Sequence, residues 1–204
     1  LNNVLPNKKL IRCIKKAKIK PHLTYISTDQ VYNNVSSLKP SSENKVNITN
    51  NYGKSKYYGE LEIKNYSNSL IIRTNFFGQS NLSYRKSFTD WLIKNAKDEK
   101  KTLLAKNIYF NPIHISFLIN YVKQMIKEKI KGTYNIGSKD CISKFEFGRL
   151  VLKKFSINND ILIPYMSSMK INRRPEGTYM STFKIEKRFN LNLPSIKQSI
   201  GKLK

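Results

Sequence analysis

Apolar positions follow two spacings along the chain, and their alternation predicts strands interleaved with helices. Leu23, Thr24, Tyr25 and Ile26, running into Ser27, form a short β-branched and aromatic run. Leu70, Ile71 and Ile72, ending at Arg73 and Thr74, form another. The first has the length and composition of a buried strand, and the second reads as a strand, inner or outer, of the same parallel sheet. Leu10, Ile11, Ile14 and Ala17 recur at helical intervals and mark the inner face of a helix over 6–18, with lysines on its other face. A helix over 51–66 can be capped by Asn50 or Asn51. Phe88 and Trp91, three residues apart, place the single Trp in the core of a helix over 87–97. Residues Thr102–Ala105 read as a short strand. Ser116 can cap a helix over 117–129 whose apolar face is Leu118, Tyr121, Val122, Met125 and Ile126, with Gly132 ending it. A strand follows over 133–136. Ser143 and Glu146 form an S-x-x-E capping box for a helix over 144–155. Asn158 and Asn159 turn the chain into an extended stretch over 161–164. Thr182 opens a helix to Phe189, and a short one covers 195–203. Residues 33–47, polar and holding Pro40, read as a loop. There is no internal repeat and no low-complexity tract. The order is that of an α/β protein whose parallel sheet is covered by helices.

The candidate chemistry sits on two of these elements. Tyr52 and Lys56, at i and i+4, share one helix face. A cation beside a phenol favours the phenolate and lowers its pKa from about 10. A phenol tuned in that way moves a proton to or from a carbonyl or alcohol oxygen near neutral pH. The bare Tyr-x-x-x-Lys pattern is common in a chain rich in both residues. Its context gives it weight: Ser27, Thr28 and Asp29 stand at the C-terminal end of a strand, where open α/β sheets place ligands. A hydroxyl there can hydrogen-bond the oxygen that the phenol protonates. The plain alternative for Ser27 and Thr28 is capping of backbone groups at the strand end.

Residues 25–32, 52–60 and 70–74 together resemble the extended short-chain dehydrogenase/reductases, closest to the dTDP-4-dehydrorhamnose reductase-like sugar-nucleotide reductases. The separation of Thr28 from Tyr52, 52 − 28 = 24 residues, suits that family. So do 111–115, 132–137, 143–148, Arg174 with Pro175, and Leu193 with Pro194, all in the same order. The resemblance implies an incomplete Rossmann-like parallel sheet with an interleaved C-terminal substrate-binding region. Residues 1–80 would be the C-terminal part of an NAD(P)-binding domain. Residues 81–204 would be the substrate region, part of it returning to the sheet. The implied reaction is reduction of a 4-keto nucleotide sugar by NADPH or NADH. Tyr52 would be the general acid/base, Lys56 would also hold the nicotinamide ribose beside Ser27, and Thr28 would orient the substrate carbonyl. Asn75 would contact cofactor and substrate, Phe76 would stand where rhamnose reductases often have Trp, and Arg174 would meet the substrate diphosphate. The segment at Asn75 is one residue shorter than the common epimerase pattern. An NAD-dependent sugar-nucleotide epimerase is the alternative enzyme. A dehydratase is disfavoured because Asp29 and Gln30 follow Thr28 without a glutamate. A non-catalytic sugar-nucleotide-binding or regulatory subunit is the alternative of another class.

Composition bounds the partners. The chain has only 8 Gly in 204 residues, none before Gly53, and no G-x-G-x-x-G turn to cradle a pyrophosphate. It begins at Leu1 rather than Met. The expectation is therefore the C-terminal part of a longer enzyme, or a truncated product, inert by itself. The net charge is +25, but the lysines are scattered over most elements. That pattern fits drift toward Lys, Asn and Ile, and no specific nucleic-acid partner is expected. The positive field still attracts an anionic sugar nucleotide. Cys13 and Cys141 have no metal spacing, no His/Cys/carboxylate cluster suggests a metal, and no Ser-His-acid order suggests a hydrolase. No apolar run approaches the roughly 20 residues of a membrane span. A cytoplasmic enzyme is the expectation, with a homodimer left open.

Overall fold

The computed structural model describes residues 3–34, 39–80, 82, 84, 86–167 and 175–204. Three parallel strands form its centre. β1 (Leu23–Ile26) pairs with β2 (Ser69–Thr74), and β2 pairs with a later strand, Gly132–Ile136. β2 lies between its two partners and every one of its residues is buried. That explains why Leu70, Ile71 and Ile72 follow one another as apolar residues rather than alternating with polar ones. Between β1 and β2 runs helix α2 (Asn51–Lys64), and α1 (Leu5–Lys16) packs against it beside the sheet.

Beyond β2 the chain forms β3 (Phe76–Phe77), α3 (Phe88–Lys97), β4 (Thr102–Ala105), β5 (Tyr109–Phe110), β6 (Ile113–His114) and α4 (Ile115–Lys127). It then returns to the main sheet as β7 (Gly132–Ile136). β8 (Ile142–Ser143), α5 (Lys144–Lys154), β9 (Leu162–Tyr165), α6 (Phe183–Phe189) and α7 (Ile196–Gly201) follow. Three small two-stranded pairings, β3 with β6, β4 with β9 and β5 with β8, frame the second half.

Two main cores result. One packs β2 and β7 against α4 and α6 through Leu70, Ile72, Leu118, Met125, Ile136 and Ile185. The other gathers α3, α5 and α7 around the fully buried Phe147, Val151 and Leu152. A smaller cluster holds Ile11 of α1 against Ile63 and Ile71.

Several local expectations need correction. β1 is half-buried rather than buried, with Ile26 37% exposed, because among the described residues it is paired on one side only, and Ile126 of α4 is 43% exposed rather than on the inner face. On α1 only Ile11 and Ile14 are buried; Leu10 and Ala17 are exposed, so the inner face is narrower than the spacing implies. Trp91 is 41% exposed and stacks on Phe88 at 5.8 Å, so the pair faces outward. Helical spacing shows that two residues share a face, but not which way the face points. The cap of α4 is His114, whose Nδ1 accepts from the Ser116 backbone, and not Ser116 itself. That helix closes on Lys129, with φ 50°, before Gly132 is reached. At α5, Ser143 does accept from the Glu146 backbone, but the Glu146 carboxylate turns to Arg149. Reciprocal capping boxes occur instead at Ser87 with Asp90 and at Ser195 with Gln198.

Candidate active site

The site begins where β1 stops. Ser27 and Thr28 leave the strand and a short 3-10 turn, Asp29–Val31, follows. Thr28 caps that turn, its hydroxyl oxygen accepting from the Gln30 backbone at 3.2 Å. Its proton goes to Asp29 Oδ1 at 3.2 Å. The turn meets α2 closely. Asn50 caps α2 by accepting from Gly53, and its amide donates to Gln30 Oε1 at 3.0 Å. A Cβ on Gly53 would lie 2.2 Å from the Gln30 carbonyl oxygen. Only glycine lets the first turn of α2, which carries Tyr52, approach the end of β1 so nearly.

Tyr52 is 53% exposed and its hydroxyl makes no hydrogen bond among the described residues. One turn on, the half-buried Lys56 ammonium donates to the Ile26 carbonyl at 2.5 Å and lies 4.3 Å from the Tyr25 ring centroid. Burial lowers its pKa, opposed by the Glu60 carboxylate one further turn along. Burial and the same carboxylate push Tyr25 up to about 12.

Glu60 anchors a buried polar network beneath these groups. Glu60 and Arg73 are both fully buried and pair twice, at 2.9 Å and 2.6 Å. Ser27 donates its hydroxyl proton to Glu60 at 2.5 Å. Arg73 also donates to the Tyr32 hydroxyl, which donates to Asn135 Oδ1, both at 2.8 Å. Asn135 in turn donates to the carbonyls of Ser41 and Ser181. The chain of bonds runs from β1 through α2 and β2 to β7. It leaves each charge compensated and fixes the helix bearing Tyr52 and Lys56 against the sheet. Nothing in the periodicity marked Glu60, Tyr32 or Asn135; the signal available was an arginine directly after the apolar run of β2.

A pocket of about 840 Å³ opens beside this end of the sheet. Asp29, Gln30, Tyr52 and Asn75 line one side. Phe88, Trp91, Leu103, Lys144 and Tyr165 line the other, and Pro175 and Thr178 also border it. The volume and the mixed lining suit an organic ligand with a few polar anchors.

The structure therefore brings Tyr52 and Asn75 to one pocket. Thr28 is buried just behind it, and Ser27 is turned to Glu60. Lys56 stands on the same helix face as Tyr52, by the end of β1. Phe76 is 51% exposed and is not among the lining residues. Arg173 and Arg174 lie outside the described residues. A nicotinamide cofactor finds suitable groups at one end only. The Tyr52 phenol and Lys56 ammonium, beside the half-exposed Ile26, offer the donors a ribose needs. The sequence holds no glycine-rich turn for a pyrophosphate. Among the described residues no group of three His, Cys, Asp or Glu could hold a metal ion, and no helix is long and apolar enough to cross a membrane.

Comparison with known proteins bears on this arrangement. A family model, the RmlD substrate binding domain, matches residues 3–203. Among solved structures, dTDP-4-dehydrorhamnose reductase from Bacillus anthracis, in complex with NADP, is 21% identical with a TM-score of 0.85. That match covers 97% of this chain and 69% of the other. A dTDP-4-dehydrorhamnose reductase from Clostridium acetobutylicum is 22% identical with a TM-score of 0.83, covering 98% and 70%. A dTDP-glucose 4,6-dehydratase from Bacillus anthracis, in complex with NAD, is 17% identical with a TM-score of 0.80, covering 98% and 65%. These likenesses show the Rossmann-like fold. Comparison with curated protein sequences found no match.

Proposed function

Because the chain belongs to the RmlD substrate-binding-domain family, we propose that it carries the substrate pocket and acid/base pair of an enzyme that reduces a 4-keto nucleotide sugar with NADPH or NADH. The observation that carries this reading is the Tyr52 hydroxyl, without a hydrogen bond among the described residues and lining a pocket with Asn75 and Asp29, with Lys56 one helical turn away. The cofactor, when bound, supplies the hydride. Tyr52 donates its proton to the oxygen as it becomes an alkoxide. The Lys56 cation favours the phenolate left behind and offers donors to the nicotinamide ribose. The network under Glu60 holds the helix that carries both side chains against the sheet, which limits the reorganisation that accompanies proton transfer.

The opposite wall gives the sugar nucleotide its apolar contacts. Phe88, Trp91 and Tyr165 line it with aromatic side chains and Lys144 lines it with a cation. Arg174 directly precedes Pro175, a lining residue, and a guanidinium fork there suits a diphosphate. Residues 1–80 would serve the cofactor side and 81–204 the substrate side, within a longer cytoplasmic enzyme.

The test is cofactor oxidation dependent on a 4-keto dTDP-sugar in that longer enzyme. Turnover supports the reading. Tight binding of the nucleotide sugar with no turnover would instead favour a non-catalytic binding subunit.

A further inference from the structure

Asp29 is 2% exposed, and both of its oxygens are engaged. Oδ1 accepts from the Thr28 hydroxyl. Oδ2 accepts from Asn75 Nδ2 and from the Thr178 hydroxyl, each at 2.6 Å. The donors come from the end of β1, the end of β2 and a segment 149 residues further along the chain. An ionised carboxylate can only accept hydrogen bonds, so the nitrogen of the Asn75 amide has to face it. The amide is planar, and its oxygen is thereby turned the other way. Asp29, Asn75 and Thr178 all line the pocket that holds Tyr52.

We propose that Asp29 is a positioning residue that sets the polarity of Asn75, so that the pocket offers Asn75 Oδ1 as an acceptor to a hydroxyl of the bound sugar. The ligand class rests on the function proposed above; the orientation of the amide does not. An unanchored Asn is nearly isosteric in its two flips and serves a donor or an acceptor alike. Anchored by Asp29, it discriminates. A sugar with a hydroxyl at the matching place gains a hydrogen bond, and one with hydrogen or fluorine there leaves the acceptor unpaired. The same carboxylate takes the Thr28 proton while the Thr28 oxygen accepts from Gln30, so the Thr28 hydroxyl is committed within the protein and Asn75 lines the pocket in its place. Thr178 ties the later segment to the same anchor.

Two measurements test this, one of them independent of any ligand. In the ligand-free protein, NMR should show the Asn75 side-chain amide protons exchanging at least about 10-fold more slowly than those of an exposed Asn. Asp29→Asn should keep that protection, because an amide oxygen can replace Oδ2, and Asp29→Ala should abolish it. Fast exchange at Asn75 in the unsubstituted protein would overturn the proposal whatever the pocket binds. Calorimetry with dTDP-glucose and its monodeoxy and monodeoxyfluoro analogues is the second measurement. One sugar position should show both analogues weakened about 5-fold, the scale of one hydrogen bond. That difference should vanish in Asn75→Ala and persist in Asp29→Asn. Fluoro analogues that all bind as well as dTDP-glucose would also overturn it. Should Asp29→Ala fail to fold, the other two variants carry the comparison. If dTDP-glucose itself does not bind, the proposed function fails, and the exchange measurement still decides the orientation of Asn75.

Discussion

The two walls of the pocket are built on opposite principles. Behind the wall formed by β1, α2 and β2 lies a dry polar network: Ser27, Glu60, Arg73, Tyr32 and Asn135 are all buried and linked by hydrogen bonds, while Tyr52 on the wall itself is 53% exposed. The wall formed by α3, β4 and β9 is apolar and wet: Phe88, Trp91 and Leu103 are 38%, 41% and 62% exposed. A buried polar network has one low-energy arrangement, because any shift strands a charge or a donor. An exposed apolar wall tolerates shifts and pays only in contact area. On the function proposed, fixed geometry backs the helix that would deliver the proton, and adaptable area lies where a ligand body would be held.

This contrast is breakable. The largest effect should come from Arg73→Met, which leaves the fully buried Glu60 without its cation. Chemical denaturation should show a loss of about 3–5 kcal/mol. Adding Glu60→Gln should recover much of it, since the pair is then removed as a unit. A loss under about 1 kcal/mol in the single variant would mean that the network does not hold the inner wall.

The next effect is a pH dependence of the same network. Burial pushes Tyr32 up to about 12 from 10, against the pull of the Arg73 guanidinium. A phenol with a raised folded pKa contributes stability in full below the unfolded value. It loses that contribution as pH rises through the folded value, because the unfolded chain sheds the proton first. Tyr32 alone should cost about 2–3 kcal/mol across pH 10 to 12, at about 1.4 kcal/mol per unit. Denaturation midpoints over this range should fall steeply, and Tyr32→Phe should flatten the slope. An unchanged slope in that variant would assign the alkaline loss to other groups.

The outer wall should respond differently and less. Trp91→Ala should weaken nucleotide-sugar binding by about 1 kcal/mol, the scale of an aromatic contact, with kcat unaltered. Its effect on stability should stay within about 0.5 kcal/mol, because the ring is partly exposed. A large stability loss would return Trp91 to the core position that its spacing suggested.

The same division governs how much could be read from sequence. Element spans were legible: β1, β2, α2 and α5 fall within a residue or two of their expected bounds, although β1 is only half-buried, with Ile26 exposed, and not the buried strand that its apolar run suggested. The apolar run of β2 marked a strand, but not its central place between β1 and β7. Legibility failed where direction mattered. The Phe88 and Trp91 pair has helical spacing on either an inner or an outer face, and only the packing of α3 on α5 decides between them. It failed again for polar groups that act over long separations. Asp29 meets Thr178 across 149 residues, and no local pattern encodes that contact. Thr28 was legible as a strand-end hydroxyl, but its proton is committed to Asp29 rather than to open space.

The central claim is that Tyr52 moves the proton, and one substitution addresses it most directly. Tyr52→Phe keeps the ring and removes only the hydroxyl that lines the pocket. In steady-state reduction of a 4-keto nucleotide sugar by the longer enzyme, the account predicts a fall in kcat of about 10²–10⁴-fold, with nucleotide-sugar affinity little changed. Turnover within about 2-fold of the unsubstituted enzyme would contradict it, since general acids at such sites contribute far more than that.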